Sequence, residues 1–279
     1  LWRNEQMRTV PNASTLMTHA TAYSRVVDLA VERGWLSANV PIPRLSRRGQ
    51  KSVARPGFNR EEIQKLLEFM PAWCQGGHRQ TGRQIKLLLR DYVEILWATG
   101  MRCGKESMNM LWQHIEWYKD KEVRYLRIWV SGKTGGRWLI AKHRAVEVLQ
   151  RLHARQKDIC ELSFETTLQT RIPHLLFRFS DGHQPHSLVG TFRRLMRDSG
   201  LALDANGDNR TLYSLRHTYA TLEMLRGEVD IHTLSKQMGN SAAMIERHYS
   251  HLTPRLKKDM LTGKRYELSR EEHQEKGLK

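Results

Sequence analysis

Residues 211–252, TLYSLRHTYATLEMLRGEVDIHTLSKQMGNSAAMIERHYSHL, constrain the fold of this chain more than any other stretch. Their spacing predicts three consecutive helices. In the first, Leu212, Leu215, Tyr219, Leu222 and Leu225 recur at steps of three and four, so one face is apolar and Arg216 and His217 fall off it. Gly227 ends that helix and Asp230 can cap the next, which carries Ile231, Leu234 and Met238. Gly239 suits the left-handed residue that follows a helix, and Ser241 can cap a third helix with Ile245, Tyr249 and Leu252. One short unit therefore gathers an arginine, a histidine, an amide and a tyrosine on rigid elements.

Charge narrows the partners. The chain of 279 residues has 46 Lys and Arg against 29 Asp and Glu, a net charge of +17. A globular chain this basic points to an extended polyanion. Hydrophobic residues at 39% support a core large enough for one large domain, or a large and a small one. An anionic membrane surface is the competing partner, but no apolar run approaches the roughly 18 residues of a spanning helix, and no signal-peptide pattern opens the chain. Cys74, Cys103 and Cys160 are unevenly spaced and form no CxxC, which points to reduced thiols in a cytosolic compartment. The chain opens on Leu1, without a start signal, and reads as a fragment lacking its natural N-terminus.

Taken in order, residues 1–40 read as helical, with a stripe of Leu16, Ala20, Tyr23, Val26, Val27, Ala30 and Val31 stopped by Gly34. That is too little apolar surface to fold alone. Residues 41–57 are punctuated by proline and glycine and carry Arg44, Arg47, Arg48, Lys51 and Arg55 with no acid. They read as a linker, either a soluble tether or, as the missing acids favour, a strap across phosphates. Asn59 and Glu62 form a capping-box pattern for a helix that carries Ile63, Leu66, Leu67 and Met70 and is expected to end before Pro71. A long helix follows from about residue 81 to residue 99. Its Arg79, Arg83, Lys86 and Arg90 line one side, a stripe for phosphates or simply for solvent. Gly100 ends that helix, which places Arg102 at a tight turn. Between residues 115 and 141 the period switches to that of strands, predicting a three-stranded antiparallel meander with Lys133 in the glycine-rich second hairpin. A meander is the wrong setting for a P-loop, and the P-loop spacing is absent. Helices are expected over 143–160 and 187–199, a short extended piece at Leu175 to Phe177, one more helix over 254–261, and a charged tail from Arg270.

The residues Thr99, Gly100, Met101 and Arg102, then Lys133, then Tyr213 with Arg216, Gly239 with Asn240, and Tyr249 with His251 resemble in order and context the signature of the tyrosine recombinases, the phage integrase family. The likeness spans roughly residues 58–252. It departs from the family pattern at Tyr213, which stands where a histidine is usual, and at Asn240, which stands for a histidine or tryptophan. The acid that commonly follows Arg102 by three residues is also displaced: position 105 is Lys and Glu106 comes next. The resemblance implies a mainly α (α+β) fold: a helical catalytic domain with a small three-stranded antiparallel sheet at 58–279, a basic linker at 44–57, and a truncated helical core-binding domain at 1–43. It makes Lys133 a mobile hairpin lysine that reaches into a DNA groove.

Breaking a phosphodiester requires a nucleophile in line with phosphorus, charge held on the non-bridging oxygens, and a proton for the leaving oxygen. Arginine bonds two oxygens at once and keeps its charge, so Arg102 and Arg216 are the candidate clamp. Lys133 is the candidate general acid and Tyr249 the candidate nucleophile. Tyr213 and Asn240 can each donate a hydrogen bond, but neither can carry the charge of an imidazolium. His217 lies about 100° around a helix from Arg216, which favours a packing role. The family reading implies no cofactor and no metal, double-stranded DNA as substrate, a tetrameric homo-oligomer on it with accessory DNA-bending proteins, no membrane, and a bacterial cytoplasmic setting in a phage or mobile element. The rivals are a non-catalytic DNA-binding protein on the same scaffold and a type IB topoisomerase-like enzyme. Retention of both arginines, the lysine and the tyrosine counts against the first.

Overall fold

The computed structural model describes residues 11–43, 45–46, 49, 56–76, 80–132 and 135–249. Arg44, Arg47, Arg48, Lys51 and Arg55 of the linker, Lys133 of the hairpin, and the helix expected over 254–261 lie outside the described residues. The chain divides into two compact units, Leu1–Ala54 and Arg55–Lys279.

In the first unit, helix α1 spans Ala13–Glu32. Asn12 caps it, its Oδ1 accepting from the Thr15 backbone N–H at 3.0 Å and from the Ser14 and Thr15 hydroxyls. Of the expected stripe, Ala20 is buried and Val26 is exposed. Tyr23 and Val27 line a groove against Val40, Ile42 and Leu45 of the segment that follows.

The second unit opens with α2, Arg60–Gln75, started by the capping box between Asn59 and Glu62. The expected stop before Pro71 is corrected: the helix runs through it for another turn. Cys74 of that turn is buried, and Lys86 Nζ donates to the carbonyls of Trp73 and Gly76, so packing and a side-chain cap hold the end that Pro71 weakens. Helix α3, Gln80–Thr99, is buried along most of its second half. Its basic stripe is corrected at two positions, Lys86 and Arg90, whereas Arg83 is exposed and Arg79 lies outside the described residues. Lys86 is the cap just described, and Arg90 donates to Glu94 at 3.0 Å. Glu94 and the fully buried Asp91 in turn bind Arg151, so these charges join α3 to a later helix and do not form an open phosphate track.

Helix α4, Lys105–Met108, is a single turn. The sheet is the expected meander: β1 Ile115–Asp120, β2 Val123–Gly132 and β3 Gly135–Ile140, antiparallel in that order. The register sets Ile115 beside Ile128 and Ile128 beside Leu139, giving one buried apolar row. Helices α5, Arg144–Arg155, and α6, Phe164–Gln169, cover one end. Helix α7, Val189–Asp198, leads through a loop to α8, Leu212–Arg226. Helices α9, Ile231–Met238, and α10, Ala242–Tyr249, complete the described chain. The fold is therefore mainly α with one small antiparallel sheet, as the sequence predicts.

Two apolar clusters form. The large one includes Leu66, Leu89, Ile95, Trp112, Phe177, Leu195 and Leu215. The small one comprises Tyr219, Ala220, Met224, Leu234, Met238 and Ile245. Helix α8 belongs to both, its first turns in the large cluster and its later turns in the small one. Among the described residues no helix is long and apolar enough to cross a membrane.

Candidate active site

Gly100 carries φ +66 and ends α3 as expected. Its backbone takes that turn because the Tyr219 ring fills the space a side chain would need: a Cβ at Gly100 would lie 2.3 Å from Tyr219 Cδ1. The turn delivers Arg102. Glu106, just inside α4, accepts from the Arg102 backbone N–H at 2.9 Å through Oε1 and from Arg102 Nη1 at 3.1 Å through Oε2. The displaced acid therefore pairs with Arg102.

Arg216 falls off the leucine stripe, as its spacing predicts, yet is 2% exposed, on a helix buried around most of its girth. Its side chain meets the turn after α3 and the end of α9. There Arg216 Nη1 donates to the Gly100 carbonyl at 2.6 Å, and Nη2 donates to the Met238 carbonyl at 2.5 Å and to Asn240 Oδ1 at 2.9 Å. Its Nε is buried and has no hydrogen-bond partner among the described residues. Burial, with the nearby charge of Arg102 and Arg137, pushes the Arg216 pKa down to about 10, so it remains a cation at neutral pH.

Arg102 Nη2 reaches the same Asn240 Oδ1 at 3.1 Å and also donates to the Gly239 carbonyl. Asn240 can be there because Gly239, with φ +63, ends α9 in the left-handed region and turns the chain back over both arginines. Thus Arg102, Arg216 and Asn240, picked out separately from the sequence, meet around one amide oxygen. Tyr213 stands one turn before Arg216 on α8 and borders a pocket of about 270 Å³ shared with Cys103, Gly104 and Arg193. His217 packs its ring edgewise on Tyr213, with centroids 5.1 Å apart. Tyr249 closes α10, which leads on from Ser241, so its backbone follows the clamp within nine residues; its side chain, like Lys133, lies outside the described residues.

Sequence reasoning missed Arg137. Its Nη1 and Nη2 donate to the two oxygens of Glu106 at 3.1 and 2.8 Å, and its Nε donates to the Gln237 carbonyl at 3.1 Å. The available signal was alternation: in β3 the buried Leu139 shares the inner face with Arg137, and an arginine in an inward register needs a buried acid. With three cations to one anion among Arg102, Arg137, Arg216 and Glu106, the seam is electropositive. Burial opposes ionisation of Glu106, but hydrogen bonds from Arg137 and Arg102 outweigh it and hold the carboxyl below the usual range.

Residues 57–255 match the model of the phage integrase family. The chain belongs to the phage integrase family. No curated protein sequence matches it. Among solved structures it is similar to the XerH site-specific recombinase bound to difH substrate, with a TM-score of 0.51 and 21% identity over 76% of this chain and 54% of that one. It is similar also to the Tn1549 transposon integrase in complex with circular intermediate DNA, with a TM-score of 0.57 and 15% identity over 88% and 77%. A third is a lambda integrase dimer bound to a COC′ core site, with a TM-score of 0.51 and 17% identity over 85% and 73%. At these identities the likeness shows the integrase fold. The chain spans about half the length of the XerH chains it matches.

Proposed function

We propose that this integrase-family chain is a site-specific DNA recombinase that cleaves and rejoins strands through a 3′-phosphotyrosine. The observation that carries the reading is the convergence of Arg102 and Arg216 on Asn240 Oδ1, at 3.1 and 2.9 Å. Two guanidinium groups facing one small oxygen form a fork for the non-bridging oxygens of a phosphodiester. The buried Nε of Arg216 supplies one more unused donor. An arriving phosphate would relieve the mutual repulsion of the cations and restore Arg216 toward its ordinary pKa.

In this reading the phenol of Tyr249 gives up its proton to solvent as its oxygen attacks phosphorus. The Tyr249 O–P bond forms as the bond from phosphorus to the 5′ oxygen breaks, and that oxygen leaves with a proton from Lys133. Reversal with another strand's 5′-hydroxyl rejoins the DNA without external energy, because the ester is conserved. Asn240 donates through its amide N–H, and Tyr213 through its phenol, where imidazoles are usual in the family. The finer expectations belong here also: double-stranded DNA as substrate, a homotetramer on it, accessory bending proteins, and a phage or mobile element in a bacterial cytoplasm. The first of these, a DNA substrate, is supported by the +17 charge and by the DNA named with the structurally similar recombinases.

The test uses the full chain. Duplexes that it binds are selected from a random pool, rebuilt with a nick beside each phosphate in turn, and resolved on denaturing gels. Wild type should leave a protein–DNA adduct, Tyr249→Phe none, and Arg216→Ala roughly 10²–10³-fold less. Bound duplexes that never yield an adduct, or an adduct that survives Tyr249→Phe, would overturn the reading.

A further inference from the structure

Arg137 has no part in the chemistry proposed above, yet all three of its guanidinium nitrogens are engaged beside the clamp. It leaves β3, two residues into the strand that follows the Lys133 hairpin, and lies on the sheet's inner face. Both terminal nitrogens bind Glu106, whose side chain is 2% exposed, and Nε ties it to the Gln237 carbonyl at the end of α9. The backbone makes room for the pair on two sides. A Cβ on Gly239 would stand 2.7 Å from Arg137 Cζ, and one on Gly132 would stand 2.7 Å from Glu106 Oε2. The second carboxylate contact is to Arg102, through both its backbone N–H and its Nη1.

We propose that Arg137 is a positioning residue of the clamp: acting through Glu106, it keeps that carboxylate ionised and in the pose that aims Arg102, and so links the hairpin strand to the phosphate site. The second half of this statement rests on the recombinase reading; the first does not. A buried carboxylate gripped by one arginine alone can swing or take up a proton, and in either case it releases Arg102. Gripped by two forks from opposite sides, it does neither. The charged groups facing Glu106 among the described residues are Arg102 from the turn before α4, Arg137 from β3 and Arg216 from α8, with Lys105 beside it on α4. All are cations, so removal of one weakens the ionised form. No charged group of opposite sign compensates among them.

The experiment measures two quantities on the full chain. The first is the titration of Glu106, followed as a ¹³C carboxyl resonance assigned by its disappearance in Glu106→Gln. Arg137→Gln should move its midpoint to higher pH, and Arg137→Lys should move it less, because lysine restores a charge but not the fork. The second is adduct formation against pH on the nicked duplex. Arg137→Gln should lower it roughly 10–100-fold, the range for loss of a group that orients a reactive ligand, and should shift its acid limb upward. Arg137→Lys should recover the limb more fully than the rate. An unmoved Glu106 midpoint in both variants overturns the proposal, as does a lowered rate with an unmoved acid limb, which is what a merely structural arginine would give. If wild type forms no adduct, the recombinase reading fails by itself while the Glu106 midpoint still decides the role of Arg137. Should Arg137→Gln not fold, Arg137→Lys carries the same comparison with the same sign.

Discussion

The two halves of α8 live in different surroundings. Leu212 and Leu215 sit in a cluster built from α2, α3, the sheet, α5 and α7, whereas Tyr219, Ala220 and Met224 sit in one built with only α9 and α10. Arg216 lies at the join. Its Nη1 holds the Gly100 carbonyl of the large side and its Nη2 the Met238 carbonyl of the small side. The clamp is thus assembled across a seam between a well-buttressed body and a thin C-terminal layer. A small cluster with few buried partners opens at lower free-energy cost than the body it rests on. Under the recombinase proposal, that is the setting a helix carrying the nucleophile Tyr249 requires.

This contrast can be broken outright at Gly100. Gly100→Ala meets both the φ +66 turn and the Tyr219 ring, and should cost about 4 kcal/mol, the sum of backbone strain and overpacking. Because it lies on the seam, it should lower the denaturant midpoint of the whole second unit. Ile245→Ala should cost about 3 kcal/mol, as a fully buried truncation does, but locally. Hydrogen exchange should speed up in α9 and α10 while Leu89 and Ile95 amides in α3 stay protected; equal loss in both would merge the two clusters into one cooperative body. A matched pair of caps sharpens the point. Asn59→Ala and Asp230→Ala each remove a side chain that caps a helix, each for about 1 kcal/mol. The first should register in global unfolding, the second only in exchange of α9. The smallest effect is expected at His217→Ala. Its ring packs edgewise on Tyr213, a packing role, so the pH dependence of adduct formation should keep its shape. A step in that profile lost with His217 would return imidazole chemistry to the site.

Acid should act on the seam in a defined direction. Glu106 is held below the ordinary carboxylate range, so it contributes stability above its unfolded pKa and loses it as pH falls through the lower, folded value. Acid unfolding of wild type should therefore begin at lower pH than that of Arg137→Gln, measured by tryptophan fluorescence.

Periodicity carried most of the fold. The α8 to α10 run, the meander and the capping box at Asn59 stand where spacing and local caps put them. Local signals failed where a distant partner decides. Pro71 reads as a stop, but Lys86, fifteen residues on, supplies the cap that lets α2 continue. Arg90 reads as one of a solvent or phosphate stripe, but its neighbour Glu94 and the buried Asp91 draw in Arg151 from α5. Arg216 reads as off the apolar face because a helix pattern registers only apolar burial, and here a polar notch of carbonyls buries a cation. The identity of Arg102, Arg216 and Asn240 as candidates was legible from short motifs. Their meeting point was not, since it depends on the left-handed turn at Gly239. Arg137 was legible only as an arginine in an inward register of β3; its partner Glu106 was not.

Gln237 carries one more consequence. Its side-chain amide accepts from the Ile140 backbone N–H at 3.0 Å and donates to the Ile140 carbonyl at 2.7 Å, copying what a neighbouring strand would do. An edge strand offers unpaired N–H and C=O groups on which a second copy of a chain can zip into an unintended continuous sheet. By stoppering the outer margin of β3 with a single residue, this chain closes that hazard at Ile140.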